Sequence, residues 1–187
     1  DHRDLHLSIR RQRQMCIRDR NLVLRQQFAR VLIDLLMQGK TILNVDETWL
    51  GMTDFRRRKW RAPGSTNSVA KLETRPRITM IMGIDSNGSV YLSLLQSNSN
   101  SQVMDIFFRA LVKQLDKERP DWRNDTVIML DNARYHSSKP TKRLFEALGI
   151  PVLYTGPHSY VTSPCELWFA AFKSRDVNPR RVPTGKR

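Results

Sequence analysis

Cysteine is nearly absent from this chain, which has only Cys16 and Cys165 among its 187 residues. Two cysteines are too few for a disulfide framework or, by themselves, for a structural zinc site, and they indicate a reducing compartment. We interpret Cys165 as a small packing residue. No apolar run approaches the ~18 residues that a membrane-spanning helix needs, and the first residues lack the apolar stretch of a signal peptide. We therefore expect no membrane partner.

Acidic residues are few beside the basic ones. The chain has 18 Asp and Glu against 32 Lys and Arg, which gives a net charge of +14. Charge of this sign favours a polyanionic partner such as DNA or RNA, although a ribosomal-type or merely basic protein would show the same imbalance. Hydrophobic residues make up 40% of the chain, and its length suits one domain with appendages.

Hydrophobic spacing predicts alternating strands and helices. Helices are expected over residues 21–38, 102–117, 138–148 and 164–174, and strands over residues 41–46, 78–84, 90–95, 127–130 and 150–154. The apolar face of the first helix is expected to hold Leu22, Leu24, Phe28, Val31, Leu32, Leu35 and Leu36. That of the second is expected to hold Val103, Ile106, Phe107, Leu111 and Leu115. Asn87-Gly88 between two apolar runs predicts a hairpin, and strands joined through helices are expected to be parallel. The fold class is therefore α/β, with a mixed five-stranded sheet flanked by helices.

The chain divides into four parts by composition. Residues 1–20 are interpreted as a basic tail that is disordered or not native to the protein, and residues 21–40 as a helix preceding the domain. Residues 41–175 form the α/β domain, and residues 176–187 a basic carboxy-terminal tail.

Three acidic residues stand at informative places in this pattern. Asp46 and Asp131 each follow an apolar, β-branched run, and Glu166 opens the last helix. Residues 132–165, thirty-four in all, separate the second acid from the third. Carboxylate oxygens on separate elements can converge on hydrated Mg²⁺ or Mn²⁺, and two such ions can activate an attacking oxygen and stabilise a leaving one. This arrangement favours metal-dependent phosphodiester chemistry.

The sequence around these acids is more specific than the acids themselves. The segments VDETW, LDNARYH and PCELWFAAFK, with a basic loop near Trp60, resemble the catalytic domain of mariner-like transposases, the Tc/mariner and bacterial insertion-sequence superfamily, over residues 41–174. The resemblance implies an RNase H-like fold and a DDE triad of Asp46, Asp131 and Glu166. It implies two Mg²⁺ or Mn²⁺ ions held by these three residues, with Asp46 as the bridging ligand.

The same resemblance implies the reaction and the partners. Metal-activated water would cut a phosphodiester at a transposon end, and the freed 3′-hydroxyl would then attack target DNA. The partners would be double-stranded DNA, as transposon ends and target, and a second copy of the chain in a homodimer. The location would be the nucleus in a eukaryotic host and otherwise the cytoplasm or nucleoid.

Two departures from the family pattern affect these expectations. Ser163 stands where the family usually has asparagine before the proline that precedes the third acid. The stretch before Asp46 is too short for the helix-turn-helix region that reads transposon ends. We therefore expect a fragment or a decayed copy that has lost recognition of specific ends.

Other polar residues have weaker assignments. Asn132 and His136 are candidates for a role beside the metal ligands. Glu47 is expected to point away from Asp46, because side chains alternate along a strand, and Asp85 is expected to serve a turn. DNA contacts are assigned to Lys173 and to a basic stretch that is otherwise read as a solvated loop, namely Arg56, Arg57, Arg58, Lys59, Trp60 and Arg61.

Two other functions stay open from the sequence. A non-catalytic DNA-binding relic would keep the fold and the basic surface without turnover. A structure-specific nuclease of the RNase H type would share the fold and the metals, although the contexts VDETW and LDNARYH argue against it.

Overall fold

The computed structural model describes residues 19–50 and 78–175. Its helices are α1 (Asp19–Met37), α2 (Ser101–Glu118), α3 (Trp122–Asp125), α4 (Lys139–Leu148) and α5 (Pro164–Arg175). Its strands are β1 (Thr41–Leu50), β2 (Ile78–Asp85), β3 (Val90–Leu95), β4 (Thr126–Leu130) and β5 (Val152–Tyr154), and a 3-10 turn spans Tyr160–Thr162. The predicted tails before residue 19 and after residue 175, and the basic stretch within residues 51–77, lie outside the described residues.

The five strands form one mixed sheet in the order β3-β2-β1-β4-β5. β1 pairs antiparallel with β2, and β2 with β3, as a tight hairpin requires. β4 pairs parallel with β1 and with β5, as connections through helices require. The predicted α/β class and sheet are confirmed.

β1 is longer than the sequence predicts. It does not end at Asp46 but continues to Leu50, because β2 pairs with it without interruption from Leu43 to Leu50. Only residues Thr41–Asn44 pair with β4 on the other side. Asp46 therefore lies inside a strand, just past the point where the parallel pairing stops, and its backbone is held by the antiparallel partner.

Side chains alternate between the two faces of β1, and each face has its own core. Leu43 and Val45 join a buried cluster with residues of α2 and α4. On the other face, Phe28 of α1 packs with Ile42 and Met129. Cys165 and Phe169 of α5 cover Met80 and Met82 of β2 on that second face. The sheet is thus a middle layer with helices on both sides.

The β2–β3 hairpin explains one of the buried acids. The Oδ1 atom of Asp85 accepts hydrogen bonds from the backbone N–H groups of Asn87 (2.9 Å) and Ser89 (2.8 Å). Gly88 has a φ of +90°, a backbone conformation that glycine adopts without steric cost. The predicted turn role of Asp85 is confirmed.

Helix α2 buries most of the predicted face: Phe107, Leu111 and Leu115 are all buried. Ile106, predicted to face the core, is 65% exposed, whereas Met104 and Phe108 are fully buried. The residues that directly follow three members of this face are buried as well, so the buried face is broader than predicted and excludes Ile106. None of the helices in the described ranges is long and apolar enough to cross a bilayer.

Helix α1 packs against the sheet through fewer residues than predicted. Phe28 is buried and Leu32 and Leu35 pack beside it, but other predicted members of the face are exposed, namely Leu22, Leu24, Val31 and Leu36. The backbone of α1 also approaches the loop after β5. A Cβ atom added to Gly156 would lie 3.0 Å from the Cα of Arg25, so glycine permits this close contact.

Candidate active site

The three predicted acids lie in one cleft. Asp46 comes from β1, Asp131 directly follows β4, and Glu166 lies in the first turn of α5. The cleft has a volume of ≈350 Å³. Its lining also includes Asn44, Val45, Asn132, Ala133, Thr155, Gly156, Pro157, His158, Ser159, Tyr160 and Ser163.

Strand register explains how the first two acids meet. The parallel pairing of β1 and β4 ends with Asn44 beside Met129. Two residues further along each strand, the same register brings Asp46 level with Asp131. Functional residues of open α/β sheets collect at such carboxyl edges, where parallel strands end together. Helix α5 then brings Glu166 to this edge from outside the sheet.

The three carboxylates share the cleft without forming a closed ligand cage. In residues 19–50 and 78–175, no group of three or more His, Cys, Asp or Glu side chains is close enough to hold a metal ion as it stands. The arrangement supplies the hard oxygen donors that Mg²⁺ and Mn²⁺ prefer, so the residues present fit such ions chemically.

Asp131 is held as an anion on one side. Its Oδ1 atom accepts hydrogen bonds from the Ala133 backbone N–H (2.9 Å) and from Nδ1 of His136 (2.6 Å). Burial raises the pKa of Asp131, but these hydrogen bonds and the charge of His136 outweigh it and hold the pKa below its ordinary value. Both hydrogen bonds described for this side chain involve Oδ1, so Oδ2 is the oxygen available for another ligand.

His136 is buried between two carboxylates. Its side chain is 0% exposed, and its Nε2 atom lies 3.4 Å from Oε2 of Glu47, whose side chain is 8% exposed. This distance is within the range of an ion pair. It is not a hydrogen bond, since neither atom has a hydrogen-bond partner among the described residues. The fully buried ring is not exposed to DNA, and its described ion-pair contacts are with Asp131 and Glu47. The prediction that Glu47 points away from Asp46 agrees with this contact.

The environment of His136 sets its charge. Burial lowers the pKa of His136, but Asp131 and Glu47 outweigh burial and raise the pKa to about 9. The ring is therefore an imidazolium cation near neutral pH. Two acids and one buried cation form a continuous chain from the cleft to the opposite side of β1.

The pKa of Asp46 is raised, whereas that of Asp131 is lowered. Burial raises the pKa of Asp46 to about 7; the Glu47 backbone N–H opposes this, and the charges of Glu47, Glu166 and Asp131 add to it. The cleft thus pairs a carboxylate that resists ionisation with one, Asp131, that is fixed as an anion. A divalent cation would offset the unfavourable charge at Asp46.

We expect His136→Gln to remove a pH dependence of stability. The pKa of His136 is about 9 in the folded chain and about 6.5 when unfolded, so its stabilisation is complete below pH 6.5 and is lost as the pH rises through 9. The variant should be less stable at pH 6 by roughly 2–3 kcal/mol, and the difference should shrink by pH 9.5.

Urea unfolding of both proteins at pH 6, 8 and 9.5 measures this effect. His158→Gln is a matched control, because His158 is exposed in the loop after β5. A loss of stability in His136→Gln that is equal at all three pH values would contradict the ion-pair interpretation.

The remaining predicted site residues are placed as follows. Asn132 donates from Nδ2 to the carbonyl oxygen of Thr155, which joins the ends of β4 and β5 at the cleft. Lys173 lines a second cleft with Glu47 and Trp49, not the cleft of the three acids. The basic residues assigned to DNA contacts, Arg56, Arg57, Arg58, Lys59, Trp60 and Arg61, lie outside the described residues, and their assignment stays a prediction.

Sequence reasoning missed Asn44 and took Ser163 only as a departure from a family pattern. Ser163 Oγ lies 2.8 Å from Oδ1 of Asn44 and 3.5 Å from Oδ2 of Asp46, so both residues touch the site. One signal was available: Asn44 is a polar residue two positions before Asp46 in an apolar strand, and period-two alternation places both on one face. Cys165 is fully buried and burial raises its pKa to about 12, which confirms its packing role.

Structures of Mos1 transposase are among the solved structures that match this fold. The Mos1 transposase paired-end complex with left transposon end is 21% identical, with a TM-score of 0.63, and the match covers 84% of this chain and 49% of that one. The catalytic domain of Mos1 mariner transposase is 18% identical, with a TM-score of 0.61 and coverage of 83% and 71%. This chain therefore spans about half the length of the first protein. The likeness confirms the RNase H-like fold.

Comparison with curated proteins gave no match. A family model described as DDE superfamily endonuclease matches residues 41–187. The match contains all three acids of the cleft and most of the chain, so the predicted DDE family is confirmed. The chain belongs to the DDE superfamily endonucleases.

Proposed function

We propose that this chain is the catalytic domain of a DNA transposase that cuts and joins DNA strands with divalent metal ions. The observation that carries the proposal is the meeting of Asp46, Asp131 and Glu166, from three separate elements, in one cleft of a DDE endonuclease fold. Structures of the Mos1 transposase catalytic domain are described with Mn and with Mg. A further Mos1 structure is a paired-end complex with the left transposon end.

The proposed cofactor is a pair of Mg²⁺ or Mn²⁺ ions. Asp46, Asp131 and Glu166 would hold them, with Asp46 as the ligand common to both. Such ions lower the pKa of an attacking water and stabilise the leaving oxygen of a phosphodiester. The raised pKa of Asp46, which neighbouring acids help to cause, supports a cation here, because a cation would relieve that repulsion.

The chain's own residues prepare the site for this chemistry. His136 and the Ala133 N–H fix one oxygen of Asp131, which limits the movement of that carboxylate. The hydrogen bond from Asn132 to Thr155 holds the ends of β4 and β5 together at the cleft floor. Strand cleavage and strand transfer would then be two phosphoryl transfers at one place: water attacks a transposon-end phosphodiester, and the freed 3′-hydroxyl attacks a target phosphodiester.

The proposed partner is double-stranded DNA, both as transposon ends and as target. The net charge of +14 supports a polyanion, because each phosphate neutralised by Lys or Arg releases counterions. A homodimer that brings two ends together completes the proposal. Its location would be the nucleus in a eukaryotic host and the cytoplasm or nucleoid otherwise.

We expect Mn²⁺-dependent nicking of duplex DNA and no cleavage of RNA–DNA hybrids. The measurement is a gel assay on end-labelled duplexes with Mn²⁺, with Mg²⁺ and with EDTA. Preferential cleavage of the hybrid would instead identify a nuclease of the RNase H type. Cleavage that persists in EDTA would contradict the metal-dependent mechanism.

A non-catalytic relic is a second candidate, because the three carboxylates do not form a closed ligand group within the described residues. A Mn²⁺ titration of the melting temperature separates the two functions. A ligand at 100 times its dissociation constant stabilises the folded state by about 2.7 kcal/mol. A melting temperature that does not respond to Mn²⁺, together with salt-sensitive DNA binding, would identify the relic.

A further inference from the structure

Asn44 is a buried polar residue on β1, two positions before Asp46. Its side chain lies within β1, on the same face as Asp46, and the residue is 2% exposed. Its neighbours Leu43 and Val45 are fully buried and apolar. A buried amide costs stability unless its donor and its acceptor are both satisfied, so its contacts are informative.

The side chain of Asn44 links its own strand to the two other elements that carry the acids. Asn44 itself lies on β1, two residues before Asp46. Its Nδ2 atom donates to the carbonyl oxygen of Met129 on β4 (3.3 Å), two residues before Asp131. Its Oδ1 atom accepts from Ser163 Oγ (2.8 Å) and from the backbone N–H of Cys165 (3.0 Å) at the start of α5.

The contacts to α5 hold the turn that carries Glu166. The first N–H groups of a helix have no partner inside the helix and need external acceptors. Asn44 accepts the N–H of Cys165, and Ser163 Oγ accepts the N–H of Glu166 at 3.4 Å. The hydroxyl hydrogen of Ser163 is used in the shorter contact, to Asn44 and not to Asp46.

We propose that Asn44 is a positioning residue that sets the mutual placement of Asp46, Asp131 and Glu166. Asparagine provides a donor and a two-fold acceptor in one short side chain, whereas aspartate lacks the donor and leucine lacks both. Asn44 joins β1 to β4 and to α5 at points two residues or fewer from each acid. The expected effect on DNA cleavage rests on the proposed function, whereas the expected effect on the local structure around the three acids does not.

The structural test measures amide hydrogen exchange by NMR in metal-free Asn44→Ala and Ser163→Ala. We expect faster exchange at Cys165 and Glu166 and no change at the centre of α2. Thr79→Val is the matched control, because Thr79 is buried on β2 and donates to the carbonyl oxygen of Ser97, away from the three acids. Unchanged protection at Cys165 in Asn44→Ala would overturn the inference.

The kinetic test uses DNA cleavage. Loss of a group that orients metal ligands typically lowers activity or metal affinity by roughly 10- to 100-fold. We expect such a loss in kcat or in the half-saturating Mn²⁺ concentration for Asn44→Ala, with KM for DNA unchanged. Because the residues share one hydrogen bond, Asn44→Ala with Ser163→Ala should lose less than the product of the two single effects. Thr79→Val should combine with Asn44→Ala multiplicatively.

The two tests separate the inference from the proposed function. An Asn44→Ala variant with wild-type kcat and Mn²⁺ dependence would overturn the inference while the transposase proposal stands. A wild-type chain without any cleavage would overturn the proposed function, and the exchange measurement would still support or overturn the placement role.

Discussion

Asp131→Asn is expected to abolish metal-dependent DNA cleavage and to leave DNA binding intact. The substitution keeps the size of the side chain but removes the negative charge and the oxygen available beside the His136 contact. Loss of several kcal/mol of metal-mediated stabilisation of the transition state corresponds to at least about 10³-fold in rate. Binding is expected to depend on Lys and Arg contacts to phosphates, which this change does not alter.

The measurement pairs a cleavage assay in Mn²⁺ with fluorescence anisotropy of labelled duplex DNA over a range of KCl concentrations. Asp105→Asn is the matched control, because Asp105 makes an exposed ion pair with Arg109 on α2 and is absent from the cleft lining. The control should cleave DNA like the wild type. Simultaneous loss of cleavage and binding in Asp131→Asn would contradict the assigned role.

Asp46→Asn is expected to stabilise the metal-free chain at alkaline pH. The pKa of Asp46 is about 7 in the folded chain and about 3.8 when unfolded, so the folded state holds a proton that the unfolded state has lost. The contribution of Asp46 to the stability of the wild type therefore falls as the pH rises from 4 to 7. Asparagine cannot ionise, and the variant should be more stable than the wild type at pH 8 by roughly 2–4 kcal/mol.

Urea unfolding in EDTA at pH 5 and pH 8 tests this sign. Asp131→Asn is the comparison, because the pKa of Asp131 is lowered and its removal should destabilise the chain at pH 8. Added Mn²⁺ should stabilise the wild type and neither variant. A lower stability of Asp46→Asn than of the wild type at pH 8 in EDTA would show that the carboxylate makes a favourable contact in the folded state.

The sheet was predictable because its signals are local. Asn87-Gly88 defines the hairpin, and the apolar runs before Asp46 and Asp131 define two central strands. The end of β1 was not predictable, since it depends on β2 as a partner through Leu50. The exposure of Ile106 depends likewise on where α2 meets the sheet, which spacing within one helix does not specify.

The three acids of the cleft were predictable from their motifs, but the groups that hold them were not. His136 was a candidate from its motif, yet its burial between Asp131 and Glu47 needs the folded backbone. Asn44 is 119 positions from Ser163, and no sequence period relates such residues. Long-range polar contacts of this kind are visible only after the strands and α5 are placed.

The close contact between Gly156 and Arg25 of α1 shows that the packed structure begins before the region that the family model matches. The matched region begins at residue 41, whereas α1 lies before it, covers Ile42 and Met129, and touches the loop that lines the cleft. A domain excised at residue 41 would contain the three acids of the cleft but would expose to water the apolar sheet face that α1 covers. The packed structure therefore extends upstream of the region that the family model matches.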